Sequence, residues 1–166
     1  MKKLTPLVLA LTLVLAACSS AAEIAIEQLA EADDEVSNVE INDGEIKVEF
    51  EDEEGGGALV IGGGEIPDGF PIPVPDGGDV TSSIAQGNSY GVIINFPESA
   101  YDELVSFYEA WVADQSVEDL FTNSFESPRS TAWGGTIGEA DFAVNVIDAS
   151  DTTGTPGTML MVNWDG

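Results

Sequence analysis

Cys18 is the one thiol in a chain of 166 residues, and no histidine accompanies it. The lack of histidine removes Ser-His-Asp and Cys-His catalysis, imidazole general bases and ordinary zinc or copper sites. Beyond residue 17 the cationic side chains are Lys47 and Arg129 alone. Lys47 falls in an alternating stretch, where nothing supports a Ser-Lys dyad. The glycine runs 55–57 and 62–64 lack the following helix and lysine of a phosphate-binding loop, so they read as turns. No cofactor is expected. What remains is carboxylate chemistry, with 31 Asp and Glu. Two acids facing across a cleft hydrolyse glycosides. Oxygen donors also bind calcium, and Glu51, Asp52, Glu53 and Glu54 are the calcium candidates, with Asp43 and Glu45 just before them. Their spacing matches no EF-hand loop, so a solvated charge run is the default expectation there.

The surroundings of Cys18 are more specific. Lys2 and Lys3 precede an apolar stretch, Leu4 to Leu15, broken only by Thr5, Pro6 and Thr12. Leu15-Ala16-Ala17 then sets small residues directly before the thiol. The stretch is too short to span a bilayer, which takes about 20 residues. This segment resembles a bacterial lipoprotein signal with Leu-Ala-Ala-Cys as its lipobox. The resemblance implies that residues 1–17 are removed as a signal peptide. It implies that Cys18 is acylated, palmitate included, and becomes the first residue of the mature chain. It places the protein on the extracytoplasmic face of the cell membrane, held by lipid. Each buried acyl methylene contributes about 0.8 kcal/mol, so several chains anchor stably. Two other readings are a secretory signal cut after Ala22 and an uncleaved anchor.

Cleavage before Cys18 leaves 149 of the 166 residues, ample for one domain with a true core. It also removes Lys2 and Lys3, taking the formal net charge from −27 to −29. Such a surface repels nucleic acid and anionic headgroups. It calls for counterions, and it leaves a cationic or protein partner open. An acidic proteome in a salty habitat is the simpler origin of the charge.

The elements that must position any site follow from the pattern. Residues 18–37 read as an acidic tether, extended by self-repulsion, and between Glu23 and Glu35 its only large apolar groups are Ile24, Ile26 and Leu29. Residues 38–64 read as a small β-meander. Val39 and Ile41 alternate with polar residues, as do Ile46, Val48 and Phe50, across the hairpin signal Asn42-Asp43-Gly44. A third strand spans 58–61. Gly69 to Gly77 carries proline at every second position from Pro71 to Pro75, which predicts an extended strap covering the sheet edge. A proline-groove ligand is the other reading, but such ligands usually carry a basic neighbour and none is near.

Residues 65–166 read as an α+β domain. A hairpin turns at Gly87-Asn88. Ser99 with Asp102 resembles a capping box that opens a helix. Tyr101, Leu104, Val105, Tyr108, Trp111 and Val112 then form one apolar stripe at helical spacing. Strands follow over 119–126, 130–137, 140–148 and 158–164. The fold expected is α+β: an antiparallel sheet with one amphipathic helix packed on one face, and the small N-terminal β-meander beside it.

Phe70-Pro71-Ile72-Pro73-Val74-Pro75, a hairpin and a helix bearing Phe107-Tyr108 together resemble a group of uncharacterised bacterial lipoproteins. The resemblance covers about residues 65–164. Such chains often place Gly-Trp after the helix, where this one has Ala113-Asp114-Gln115-Ser116-Val117. The group implies fold and location only, with no activity to carry over. The function expected is a lipid-anchored, non-enzymatic, extracytoplasmic binding or interaction module, and it is not expected to bind nucleic acid. The alternative is a carboxylate hydrolase acting on cell-wall or environmental glycan.

Overall fold

A computed structural model describes residues 36–42, 45–50, 56–97, 99–149 and 157–166. Cys18, the tether as far as residue 35 and the acids Glu51, Asp52, Glu53 and Glu54 lie outside the described residues; the last two residues expected in the tether, Val36 and Ser37, belong instead to the first strand. So does Asp43-Gly44, although Asn42 pairs with Glu45 across that two-residue connection.

Alternating apolar and polar residues fold into nine antiparallel strands of a single sheet. They are β1 (Val36–Asn42), β2 (Glu45–Phe50), β3 (Gly57–Ile61), β4 (Asp79–Gln86) and β5 (Ser89–Phe96). Helix α1 (Tyr101–Asp114) follows, then β6 (Val117–Glu126), β7 (Arg129–Ile137), β8 (Ala140–Asp148) and β9 (Thr158–Asp165). The strand order across the sheet is β1-β2-β3-β4-β5-β9-β8-β7-β6. The chain is therefore strand-rich, with one short helix among the described residues. The meander β1-β2-β3 is present, and its last strand pairs along β4 from Gly57↔Gln86 to Ile61↔Ser82. That ladder crosses the expected boundary at residue 64.

Tight turns set the hairpins. Gly87 at φ 56° supplies the left-handed conformation that the two-residue β4–β5 turn requires. Helix α1 leaves the central strand β5 and delivers the chain to the far edge at β6, and three hairpin-linked strands bring it back. β9 thereby enters between β5 and β8.

Period-two geometry places Val92, Val162, Val144 and Trp133 in one row on the face that α1 covers. Ile94, Leu160, Val146 and Thr131 make the next row. Against them α1 buries Tyr101, Leu104, Tyr108 and Val112. Trp111 is only partly buried, packed edge-on to Phe142 with ring centroids 5.4 Å apart. The expected stripe is therefore the helix's packing face.

Two expectations need correcting. The capping box does not form: α1 begins after Ala100, with no side-chain cap. Instead the Ala100 amide donates to the buried Thr158 hydroxyl at 3.0 Å. Asp102 is drawn to Arg129, with Nη2 2.6 Å from Oδ1. The proline strap does not cover an edge. Its Ile72 is 2 % exposed within the core beneath α1, flanked by partly buried Phe70 and Val74. Pro73 adds a carbonyl that accepts the Tyr108 hydroxyl at 3.0 Å. A proline-locked segment loses little entropy on ordering, which suits it to be a fixed cover over a helix–sheet junction.

Candidate interaction surface

The sheet's other face has no helix over it among the described residues. Its rows run across all nine strands. One joins Val39, Val48, Leu59, Ile84, Gly91, Asn163, Ala143, Gly134 and Phe121. The next joins Ile41, Ile46, Ile61, Ser82, Ile93, Met161, Asn145, Ala132 and Asn123. The half that comes from β1 to β4 is rich in β-branched residues and leucine, which screen one another and stay half-buried apart from the exposed Ile84. Small residues floor the middle. At its centre Asn145 keeps a buried Oδ1 with no hydrogen-bond partner in the structure.

The far border is β6. Leu120 and Phe121 are each 49 % exposed and Phe125 is 62 % exposed. Phe121 lies over Gly134 of the neighbouring strand, so closely that any Cβ there would collide with its ring. Glycine under a cross-strand aromatic is a recurrent sheet arrangement in which the ring replaces the missing side chain. β6 pairs with β7 on one side, and no described residue pairs with its other side. A register shift between Glu118 and Phe121 bends its start, where Asp119 takes φ 51°. From Phe121 to Phe125 the strand is uncharged; Glu118, Asp119 and Glu126 bracket that run.

The two described cations are committed elsewhere. Lys47 Nζ lies 2.7 Å from Glu49 Oε1 on the same strand. That contact raises the lysine above its ordinary pKa and lowers Glu49, which also accepts from Asn38. Arg129 pairs with Asp102 and lies over the Tyr101 ring, 4.1 Å from its centroid. The hydrogen bond it donates to Asp102 is the main reason its pKa is raised. A polar chain runs from this corner toward the edge, from Tyr101 Oη to Thr131 Oγ1 at 2.7 Å, where it is buried, and on to the exposed Ser124 Oγ at 3.2 Å.

The calcium candidates lie outside the described residues, and so does the lipidation candidate Cys18. Among the described residues no group of acids is arranged to hold a metal ion, and no helix is long and apolar enough to cross a membrane. A shallow depression of about 330 Å³ lies on the helix-bearing side of β3 and β4, lined by Val60, Ser83, Glu65, Ile66, Pro67 and Asp68 among others. Its two acids lie close in sequence on a single segment. Sequence reasoning missed β6 as a surface feature. Its signal was present in Phe121 and Phe125, two apolar residues on one face of a strand with polar and acidic neighbours. No protein-family model matches the chain, and neither a curated protein nor a solved structure is found similar to it.

Proposed function

We propose that this chain is a lipid-anchored, extracytoplasmic interaction module that works by binding and not by catalysis. The observation that carries the binding half of this reading is the sheet face that no described helix covers, ending in the exposed aromatic strand β6. Exposed aromatic side chains such as Phe121 and Phe125 at the border of a sheet face mark a place where other molecules dock. The lipobox carries the anchoring half. Cys18 becomes the acylated first residue, and the acidic stretch from Ser19 to Glu35 holds the domain off a like-charged headgroup layer.

Two experiments test the two halves. Cells expressing the Cys18→Ser chain should release the protein from membranes or leave its precursor uncut; mature protein that stays membrane-bound without acylation refutes the anchor. Cross-linking in the native membrane at native salt, followed by capture, should recover a discrete complex that depends on Phe121 and Phe125. Degradation of cell-wall glycan by the purified chain, lost on changing a pair of acids to amides, refutes the binding reading.

A further inference from the structure

Resting on the interaction-module reading, we infer that β6 recruits an extended segment of another protein, apolar at alternate positions and basic at its ends, as a tenth strand. An open edge offers a row of backbone donors and acceptors, and an added strand satisfies them. Among the described residues β6 is an open edge, with partners on the β7 side only. Phe121 and Phe125 point to the same face and are 49 % and 62 % exposed. They would meet alternate side chains of the incoming strand, which is how specificity arises in this mode. The bulge at Asp119 bends the strand's start, so the usable run is Phe121 to Phe125.

Charge selects among occupants. Glu118 and Asp119 stand at one end of the run and Glu126 at the other. A second copy paired antiparallel about Thr122 would set the Glu118 end of one strand against the Glu126 end of the other. Like charges opposite one another destabilise a sheet pair. Neither cation among the described residues is spare to relieve it, since Lys47 and Arg129 are already paired. Its own tether has the same difficulty: residues 23–35 carry acids and no cation. Lysine or arginine at the ends of a foreign strand turns both clashes into attractions.

The test uses the full chain as purified from its host, at low ionic strength. The probes are two short peptides of alternating valine and threonine, one flanked by lysine and one by glutamate. Hydrogen–deuterium exchange followed by mass spectrometry reads the site, and titration reads the affinity. The lysine-flanked peptide should slow exchange in residues 117–126 and bind about tenfold more tightly than its counterpart. The double variant Glu118→Lys, Glu126→Lys should reverse that preference; both positions are exposed, so folding is spared. Equal binding of the two peptides overturns the proposal. So does protection that falls on β1, or protection of β6 that grows with protein concentration without peptide. Any of these leaves the interaction-module reading intact, because that reading fails on a different result, glycan hydrolysis by the purified chain.

Discussion

Tyr108 shows how much one residue ties together. It is 0 % exposed, touches Phe107, Trp111 and Trp133, and donates a hydrogen bond from its hydroxyl to the Pro73 carbonyl. Burial pushes its pKa well above the ordinary value of 10.0. A group whose folded pKa is raised stabilises fully below its unfolded pKa and loses that contribution as pH rises beyond it. Unfolding by base should therefore set in from about pH 10. Tyr108→Phe should cost about 0.5–1.5 kcal/mol near neutral pH, because the Pro73 carbonyl loses its donor. It should also flatten the alkaline limb, and denaturant melts across the pH range would show both effects. An unaltered alkaline limb would mean that another group governs it. The exposed pair Lys47–Glu49 works at both ends of the scale. Glu49, lowered, loses its contribution as pH falls through its folded pKa; Lys47, raised, loses its own as pH rises through its folded pKa. Both side chains face solvent, so salt should erase that contribution.

Among the elements, α1 was the most legible in the sequence. Its stripe at spacings of three and four leaves one possible packing face, and Leu104 at 2 % exposure is on it. Leu104→Ala should destabilise by about 2–5 kcal/mol. Phe107→Ala, on the exposed flank, should cost far less, and equal losses would mean the helix is rotated from its described position. Strands were legible for a similar reason, since Phe142, Val144 and Val146 alternate with residues of the opposite face. The helix start was not legible. Ser99 and Asp102 have capping spacing, but Thr158, distant in sequence, reaches the Ala100 amide and Arg129 takes Asp102. Local pattern holds no information about such distant competitors. The strap illustrates the same limit. Its prolines announce an extended segment, yet only the packed fold shows that Ile72 sits under α1 and not along an edge. Ile72→Ala should accordingly cost as much as a core truncation, about 2–5 kcal/mol, measured by equilibrium unfolding.

For the whole molecule, charge and strand order matter most. A formal net charge of −27 on a chain of this size carries self-repulsion that ions screen. Melting temperature should rise with sodium chloride, and calcium chloride at matched ionic strength should do little more. Saturable calcium binding abolished by Asp52→Asn with Glu54→Gln would overturn that expectation and assign a site to the acidic cluster. Strand order was the least legible property. Alternation tells which residues share a face; it does not tell which strands are neighbours, nor which one is left at a border. The joining of the N-terminal meander to the main sheet and the exposure of β6 both depend on pairings distant in sequence. The candidate surface was hidden for that reason, although each of its residues could be read as strand.

The position of β9 bears on how the protein is made. It is the last described strand in the chain, yet it lies between β5 and β8 and is the only strand bonded to both halves of the sheet. Until residues 158–165 are available, β1–β5 and β6–β8 have no ladder between them, and each would expose an unpaired central edge. A chain synthesised from its N-terminus meets this state each time it is made. It is aggregation-prone by nature, because non-local pairing must wait for loop closure while open edges stay exposed. The dense negative charge offers a defence during that interval, since nascent copies repel one another before their edges can meet. Ending the chain at residue 157 should therefore abolish cooperative unfolding outright, not merely lower its midpoint. It should also yield aggregates whose amount increases with salt, the opposite of salt's effect on the intact protein. Calorimetry and light scattering of the shortened chain would decide this, and a cooperative, soluble product would show that the halves cohere without their shared strand.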